Sequence, residues 1–207
     1  MKSLKHLSTL GLSLVLSFGL NACGGGGGGD SSSGTPPTST VTGQFIDAPV
    51  QGLSYSCSSG KSGVTNSNGE YTCNSGDDVT FSINGVVIGI VAAQATAITP
   101  YTLFPNNTAA AINLARLLQS LDDDSSDNII TIDTALEVNV PTGLNFTATD
   151  FEATVESALG TPLVSSQEAE VKMNEAIVAV GGTVPEPTLT EPIVNNGLAT
   201  PPTPPTL

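Results

Sequence analysis

The spacing of apolar residues along this chain changes once, near position 105, and that change limits the fold more than any single motif. Between residues 41 and 104, Leu53, Tyr55 and Cys57 alternate with Ser54, Ser56 and Ser58, and Val79, Phe81 and Ile83 alternate with Asp78, Thr80 and Ser82. Successive side chains on a strand point to opposite faces, so a two-residue period marks strands with one face in a core and one in water. Asn68-Gly69 stands before Glu70 to Cys73, and Asn84-Gly85 before Val86 to Ile90. Both dipeptides accept the positive backbone angles of tight hairpin turns. Six strands are predicted, over about 41–47, 52–57, 62–66, 70–73, 78–83 and 86–91.

Beyond position 105 the period becomes helical. Ala110, Leu114, Leu117, Leu118 and Leu121 fall three and four residues apart, which assigns Asn113, Arg116 and Gln119 to other faces, and Pro105-Asn106-Asn107-Thr108 supplies a start signal. Thr149 with Glu152 fits a capping box for a short helix carrying Phe151, Val155, Ala158 and Leu159, stopped by Gly160 and Pro162. Ser165 with Glu168 repeats the arrangement for a last helix with Ala169, Met173, Ala176, Ile177 and Val180 inward, closed by Gly181-Gly182. Ile129, Ile130 and Ile132 add one strand between helices. The expected fold class is α+β: a small antiparallel β-sandwich over 41–104, then a three-helix segment over 105–182 that forms a second layer or a small second domain.

The two ends have different compositions. Gly24 to Gly29 are followed by DSSSGTPPTST, which cannot bury a core and reads as a flexible tether over 23–40. Residues 183–207 repeat proline with almost no aromatic or charged content, the pattern of a disordered, polyproline-like tail. Of three cysteines, Cys57 and Cys73 are separated by 15 residues, with neither CxxC spacing nor a companion metal ligand beside them. With Cys23 set apart, an even remainder in an exported chain predicts a disulfide. It would tie the second predicted strand to the fourth and place Tyr55 and Tyr71 at the same edge of the core.

Lys2 and Lys5 give the chain a positive start, and Leu7 to Leu20 is an apolar run of 14 residues, too short for a permanent span. Leu20-Asn21-Ala22-Cys23 resembles the lipobox of bacterial lipoproteins. The resemblance implies that residues 1–22 are a removable signal peptide and that Cys23 carries a thioether-linked lipid with palmitate-type acyl chains. The chain would then be anchored to a cell-envelope membrane. Gly24 stands where an aspartate would resemble an inner-membrane retention signal, so the resemblance points to the outer membrane.

A second resemblance covers about 50 residues. GQFIDAPVQGLSYSC followed by SGVTNSNGEYTC is similar to the β-sandwich modules of the carboxypeptidase-regulatory-like and Cna-B-like kind. The matching positions are Gly43, Asp47, Pro49 and Gly52, then Gly63, Thr65, Asn66, Gly69 and Tyr71. The resemblance implies a stalk, spacer, adhesive or accessory module that is not itself catalytic. Turn geometry accounts for its aspartate, proline and glycines.

Charge and residue inventory exclude several functions. Without residues 1–22, Lys61, Arg116 and Lys172 stand against 19 acids, a net charge of −16. That argues against nucleic acid and against docking on anionic head groups. The only histidine, His6, lies in the signal, so the remaining chain has no Ser-His-Asp or Cys-His device and no histidine-ligated zinc. Carboxylate pairs such as Asp77 with Asp78, or Glu152 with Glu156, read as solvated surface; with no tryptophan and 4% aromatics, a sugar-lining cleft is hard to build. The expected chain is not an enzyme and has no resident cofactor. One loop, LDDDSSDN, offers metal chemistry: Asp122, Asp124, Ser126, Asn128 and Asp133 form a weak calcium candidate. The turn glycine of an EF-hand loop is replaced by Asp127, and the last ligand is a short aspartate. The function expected is an accessory or interaction subunit, membrane-bound through its lipid, with an envelope protein as partner. The alternatives are a carrier that passes a small apolar ligand to or from an outer-membrane transport system, and a surface adhesin or fibre component.

Overall fold

The structure is a computed structural model that describes residues 38–185. The signal segment 1–22, Cys23, the tether up to residue 37 and the tail from residue 186 lie outside the described residues. Among the described residues, no helix is long and apolar enough to cross a membrane.

The alternating segments form β1 (Thr40–Gln44), β2 (Val50–Gln51), β3 (Ser54–Cys57), β4 (Ser62–Val64), β5 (Glu70–Asn74), β6 (Asp78–Ile83) and β7 (Val86–Ala92). Two antiparallel sheets result: a four-stranded one in the order β4-β3-β6-β7 and the pair β1-β5. Asn84, at φ 47°, and Gly85, at φ 73°, close the tight β6–β7 hairpin as their types require. The inward faces of the two sheets meet through aromatic rings. Phe81 of β6 touches Phe45, with ring centroids 5.0 Å apart, and Tyr71 of β5 at 5.3 Å, both edge to face. The Cys57–Cys73 disulfide joins β3 to β5, and hence one sheet to the other, and Tyr55 lies 5.9 Å from Tyr71 as expected.

The helical part consists of α1 (Pro100–Leu103), α2 (Thr108–Ser120), α3 (Thr134–Glu137), α4 (Phe151–Leu159) and α5 (Ser166–Ala179). The helices of α2, α4 and α5 are the three expected; α1 and α3 are single turns, and α1 lies ahead of the period change. Asn107 caps α2, its Oδ1 accepting from Ala110 N at 3.0 Å, and Ser165 caps α5, its hydroxyl accepting from Glu168 N at 3.2 Å. Thr149 does not cap α4: its N-cap is Asp150, which makes no side-chain cap hydrogen bond. A last short strand, β8 (Ile130–Thr131), pairs in parallel with β2.

One hydrophobic cluster runs from the sheets into the helices, through Phe45, Phe81 and Ile88, then Leu114, Leu118, Phe151 and Val155. The helices therefore form a second layer on the sandwich, and the 104/105 boundary does not divide the core. Each fully buried leucine of α2 contributes roughly 1.5–3 kcal/mol of transfer free energy. Of the polar residues assigned to other faces of α2, Arg116 is buried and Asn113 and Gln119 are half-buried, each hydrogen-bonded within the fold. Arg116 donates from Nε to Val164 O at 2.7 Å and pairs through Nη2 with Glu152 at 3.1 Å, while Asn113 donates to Phe146 O at 2.9 Å. The helix is surrounded by the sheets, α4, α5 and the segment before α4, so its polar positions serve as hydrogen-bonded spacers rather than a solvated face.

Candidate functional site

The outward face of the four-stranded sheet follows from its register. Val64, Ser54, Ser82 and Val87 form one row across β4, β3, β6 and β7, and Ser62, Ser56, Thr80 and Ile90 form the next. Directly opposed residues of antiparallel strands project to the same side, so these eight share a face. None of these eight carries a charge; Asp78, two residues before Thr80 on β6 and opposite Ala92, stands exposed at one end of the same face. The middle strands present short hydroxyl side chains, and the margins present β-branched apolar ones: Val64, Val87 and Ile90 are 62%, 53% and 64% exposed. β7 is the terminal strand, pairs only with β6, and has no charged residue in VVIGIVA. On the inward side Leu103 of α1 packs against Gly89, leaving no room for a Cβ there. Edge strands in soluble domains are commonly blunted by charge, proline or a covering element, and β7 has neither charge nor proline. The sequence shows the alternation, but not which serines line up across strands; that depends on register.

The loop 121–133 is arranged by its own backbone. Asp122 Oδ1 accepts from Thr131 N at 3.0 Å, Asp124 Oδ1 from Ser126 N at 2.9 Å, Asp127 Oδ1 from Ile129 N at 2.8 Å and Asp133 Oδ1 from Ala135 N at 2.7 Å. The Ser126 contacts hold the Asp124 carboxyl below the usual carboxylate range. Asp133 acts as the N-cap of α3. Ser126 and Asn128 sit in the exposed stretch between. Among the described residues the one trio of acidic, cysteine or histidine ligand atoms within 4.8 Å of one another is Cys57, Cys73 and Asp77. The acidic loop is therefore held as a series of aspartate turns that do not converge on one point. The trio that does converge has its two sulfurs joined in the disulfide, with no thiolate to offer a metal.

Asp77 is not solvated surface, as its pairing with Asp78 suggested. It is buried, with one oxygen accepting from the Ser59 hydroxyl at 2.6 Å and from Asn74 N at 2.9 Å, and the other from the Ser58 hydroxyl at 3.1 Å. These donors, Ser59 first, hold its carboxyl below the ordinary range. It organises the turns beside the disulfide. Glu156 likewise has a structural task, accepting from Leu163 N at 2.9 Å.

Asp47 departs furthest from its expected role. Its side chain is fully buried beneath the bend between β1 and β2, and Gln119 of α2 donates from Nε2 to its Oδ1 at 3.0 Å. Burial pushes its carboxyl up to about 8, against the opposing effects of the Gln119 hydrogen bond and the Lys172 charge. Turn geometry does not account for it.

Among the described residues, depressions open on the surface. One of about 390 Å³ is lined by Gln44, Thr96, Thr99, Thr102, Ile177 and Val180 among others, and one of about 200 Å³ lies beside Leu144 and Phe151. Between sheet and helices, where an apolar ligand would be enclosed, the space is taken by Leu114, Leu117, Leu118 and Phe146. Comparison with protein-family models, curated proteins and solved structures finds no match to the chain.

Proposed function

We propose that the chain is a cell-envelope lipoprotein, anchored through Cys23 and facing partners with the outer surface of its four-stranded sheet, and that it serves as a non-catalytic accessory or interaction subunit. The observation that carries this reading is a hydroxyl-centred face with apolar margins whose strands carry one charge, Asp78 at the end of β6, on a chain that has 19 acids. A surface from which charge is depleted meets a partner with little desolvation cost, whereas the acidic remainder repels nucleic acid and anionic membrane. The lipobox and tether support placement beside an envelope protein, with the outer membrane favoured by Gly24. The long, uncharged edge of β7 is also suited to adding a strand from another chain, which is the recognition mode that an adhesin or fibre component would use.

The test is photo-crosslinking in cells from Val87, Ile90 and Ser56, with Ser126 in the acidic loop as control, alongside acyl labelling of wild type and Cys23→Ala. Capture of one envelope protein from the sheet positions, with labelling lost in Cys23→Ala, is the expected result. Capture of the protein itself would shift the reading to a fibre. Equal capture from Ser126 and from the sheet face would remove the face from the argument, and labelling that survives Cys23→Ala would remove the anchor.

A further inference from the structure

The pair formed by Asp47 and Gln119 is incomplete in a way that one proton repairs. Gln119 Nε2 donates to Asp47 Oδ1 at 3.0 Å and to the backbone carbonyl of Ala169 in α5, also at 3.0 Å. A carbonyl only accepts, so the Ala169 contact fixes which end of the amide carries nitrogen, and both Nε2 hydrogens are used. Two buried atoms are left without any partner: Asp47 Oδ2 and Gln119 Oε1. They belong to the same two groups. With Asp47 ionised, both atoms are acceptors, and neither can satisfy the other; leaving such atoms buried is costly.

We propose that Asp47 is the neutral acid in the folded protein and that its Oδ2–H donates to Gln119 Oε1, closing an acid–amide ring that clamps the β1–β2 bend to α2 and, through Ala169, to α5. The proton makes the clamp conditional. When it leaves to solvent, the ring opens and a fully buried carboxylate remains beside an orphaned carbonyl oxygen. The charged and titratable groups that face Asp47 do not replace it. Lys172 of α5 acts on it only at long range and pairs with Glu168 at 3.1 Å. Tyr101 of α1, pushed up to about 12 chiefly by burial, donates to Asn174 and stands near both Asp47 and Glu170. The elevated Asp47 carboxyl described above is what such a site should show.

The direction of the linkage follows. Between the ordinary value, 3.8, and about 8, the folded state holds a proton that the unfolded state has lost, so stability falls as pH rises and levels off above that range. The full-length chain in detergent, with wild type and Asp47→Asn unfolded in urea from pH 5 to 9.5, isolates this group, since every other titrating residue is common to both. The ratio of their folding constants should move against wild type by about tenfold per pH unit up to about pH 8 and then flatten. If Asp47→Asn does not fold, the wild-type protein carries the test through carbon NMR of the Asp47 carboxyl and the Gln119 side-chain amide. Both should titrate together with a midpoint near 8. Parallel pH curves for the two proteins, an Asp47 carboxyl titrating in the ordinary range, or a Gln119 amide carbon that does not follow it would overturn the clamp. The outcome is independent of the sheet face and its partner.

Discussion

Replacing Gly43 by alanine should destabilise the fold by about 1–6 kcal/mol, although the residue lies on a strand and needs no unusual backbone angle. Gly43 of β1 is directly opposite Tyr71 of β5, and the Tyr71 ring crosses over it to reach Gln94. There the Tyr71 hydroxyl donates to Gln94 O at 2.9 Å and accepts from Gln94 N at 3.0 Å. A Cβ on residue 43 would overlap the Gln94 carbonyl oxygen and stand 2.6 Å from the Tyr71 oxygen, so one of these must move. Losing the two hydrogen bonds costs about 1–3 kcal/mol, and forcing the ring and backbone apart adds roughly 1–3 kcal/mol. Against this, the less flexible unfolded chain returns about 0.4–1 kcal/mol. Urea unfolding of Gly43→Ala, Tyr71→Phe and the double variant measures the coupling. Because both changes remove the same latch, the double variant should lose less than the sum of the singles by about 1–2 kcal/mol. A Gly43→Ala protein within about 0.5 kcal/mol of wild type, or strictly additive losses, would refute the latch.

Two further outcomes follow from the geometry. Converting both Cys57 and Cys73 to alanine should cost roughly 3 kcal/mol, the chain-entropy value for a loop of this length, read as a drop in the urea midpoint; an unchanged midpoint would show that the sheet-to-sheet aromatic contacts fix the same geometry unaided. Millimolar calcium should leave the melting temperature within about 1 °C of the metal-free protein, because the carboxylates of the acidic loop do not converge; a rise of about 5 °C, lost in Asp124→Asn, would show that the loop closes on the ion.

Strand existence was legible because it rests on a local signal. The β6 and β7 limits match the alternation of Val79, Phe81 and Ile83 and the Asn84-Gly85 turn closely, since both are encoded within a few residues. The same holds for the Ser165 cap and for the start signal at 105–108, within which Asn107 is the cap. The roles of polar residues were less legible, because these are set by partners far away in sequence. Asp47 finds Gln119 across 72 residues, and Arg116 finds Val164 across 48. Nothing near either residue announces those partners. Thr65, quoted as part of a hairpin motif, in fact bridges strands: its hydroxyl accepts from Leu53 N and donates to Val50 O in the core. Thr149 failed as a cap because the chain enters the helix one residue later, at Asp150, where the residue three positions on is Ala153 and no capping box forms.

The buried polar residues bear on function. The junction between sheets and helices is filled mainly by apolar side chains, Leu114, Leu117, Leu118 and Phe146 among them. Beside this apolar filling, the polar side chains of Arg116, Gln119 and Asp47 reach backbone carbonyls or one another. Such groups specify one docking geometry more sharply than interchangeable leucines, since each needs directed hydrogen-bond partners and carries a high cost when unpaired. The outer sheet face is the converse. Its serines and threonine, on three of the four strands, make no side-chain hydrogen bond among the described residues that fixes their identity, so their run is not required by the fold itself. That contrast is why the sheet face, rather than the acidic loop or the buried polar junction, is where a partner should be sought.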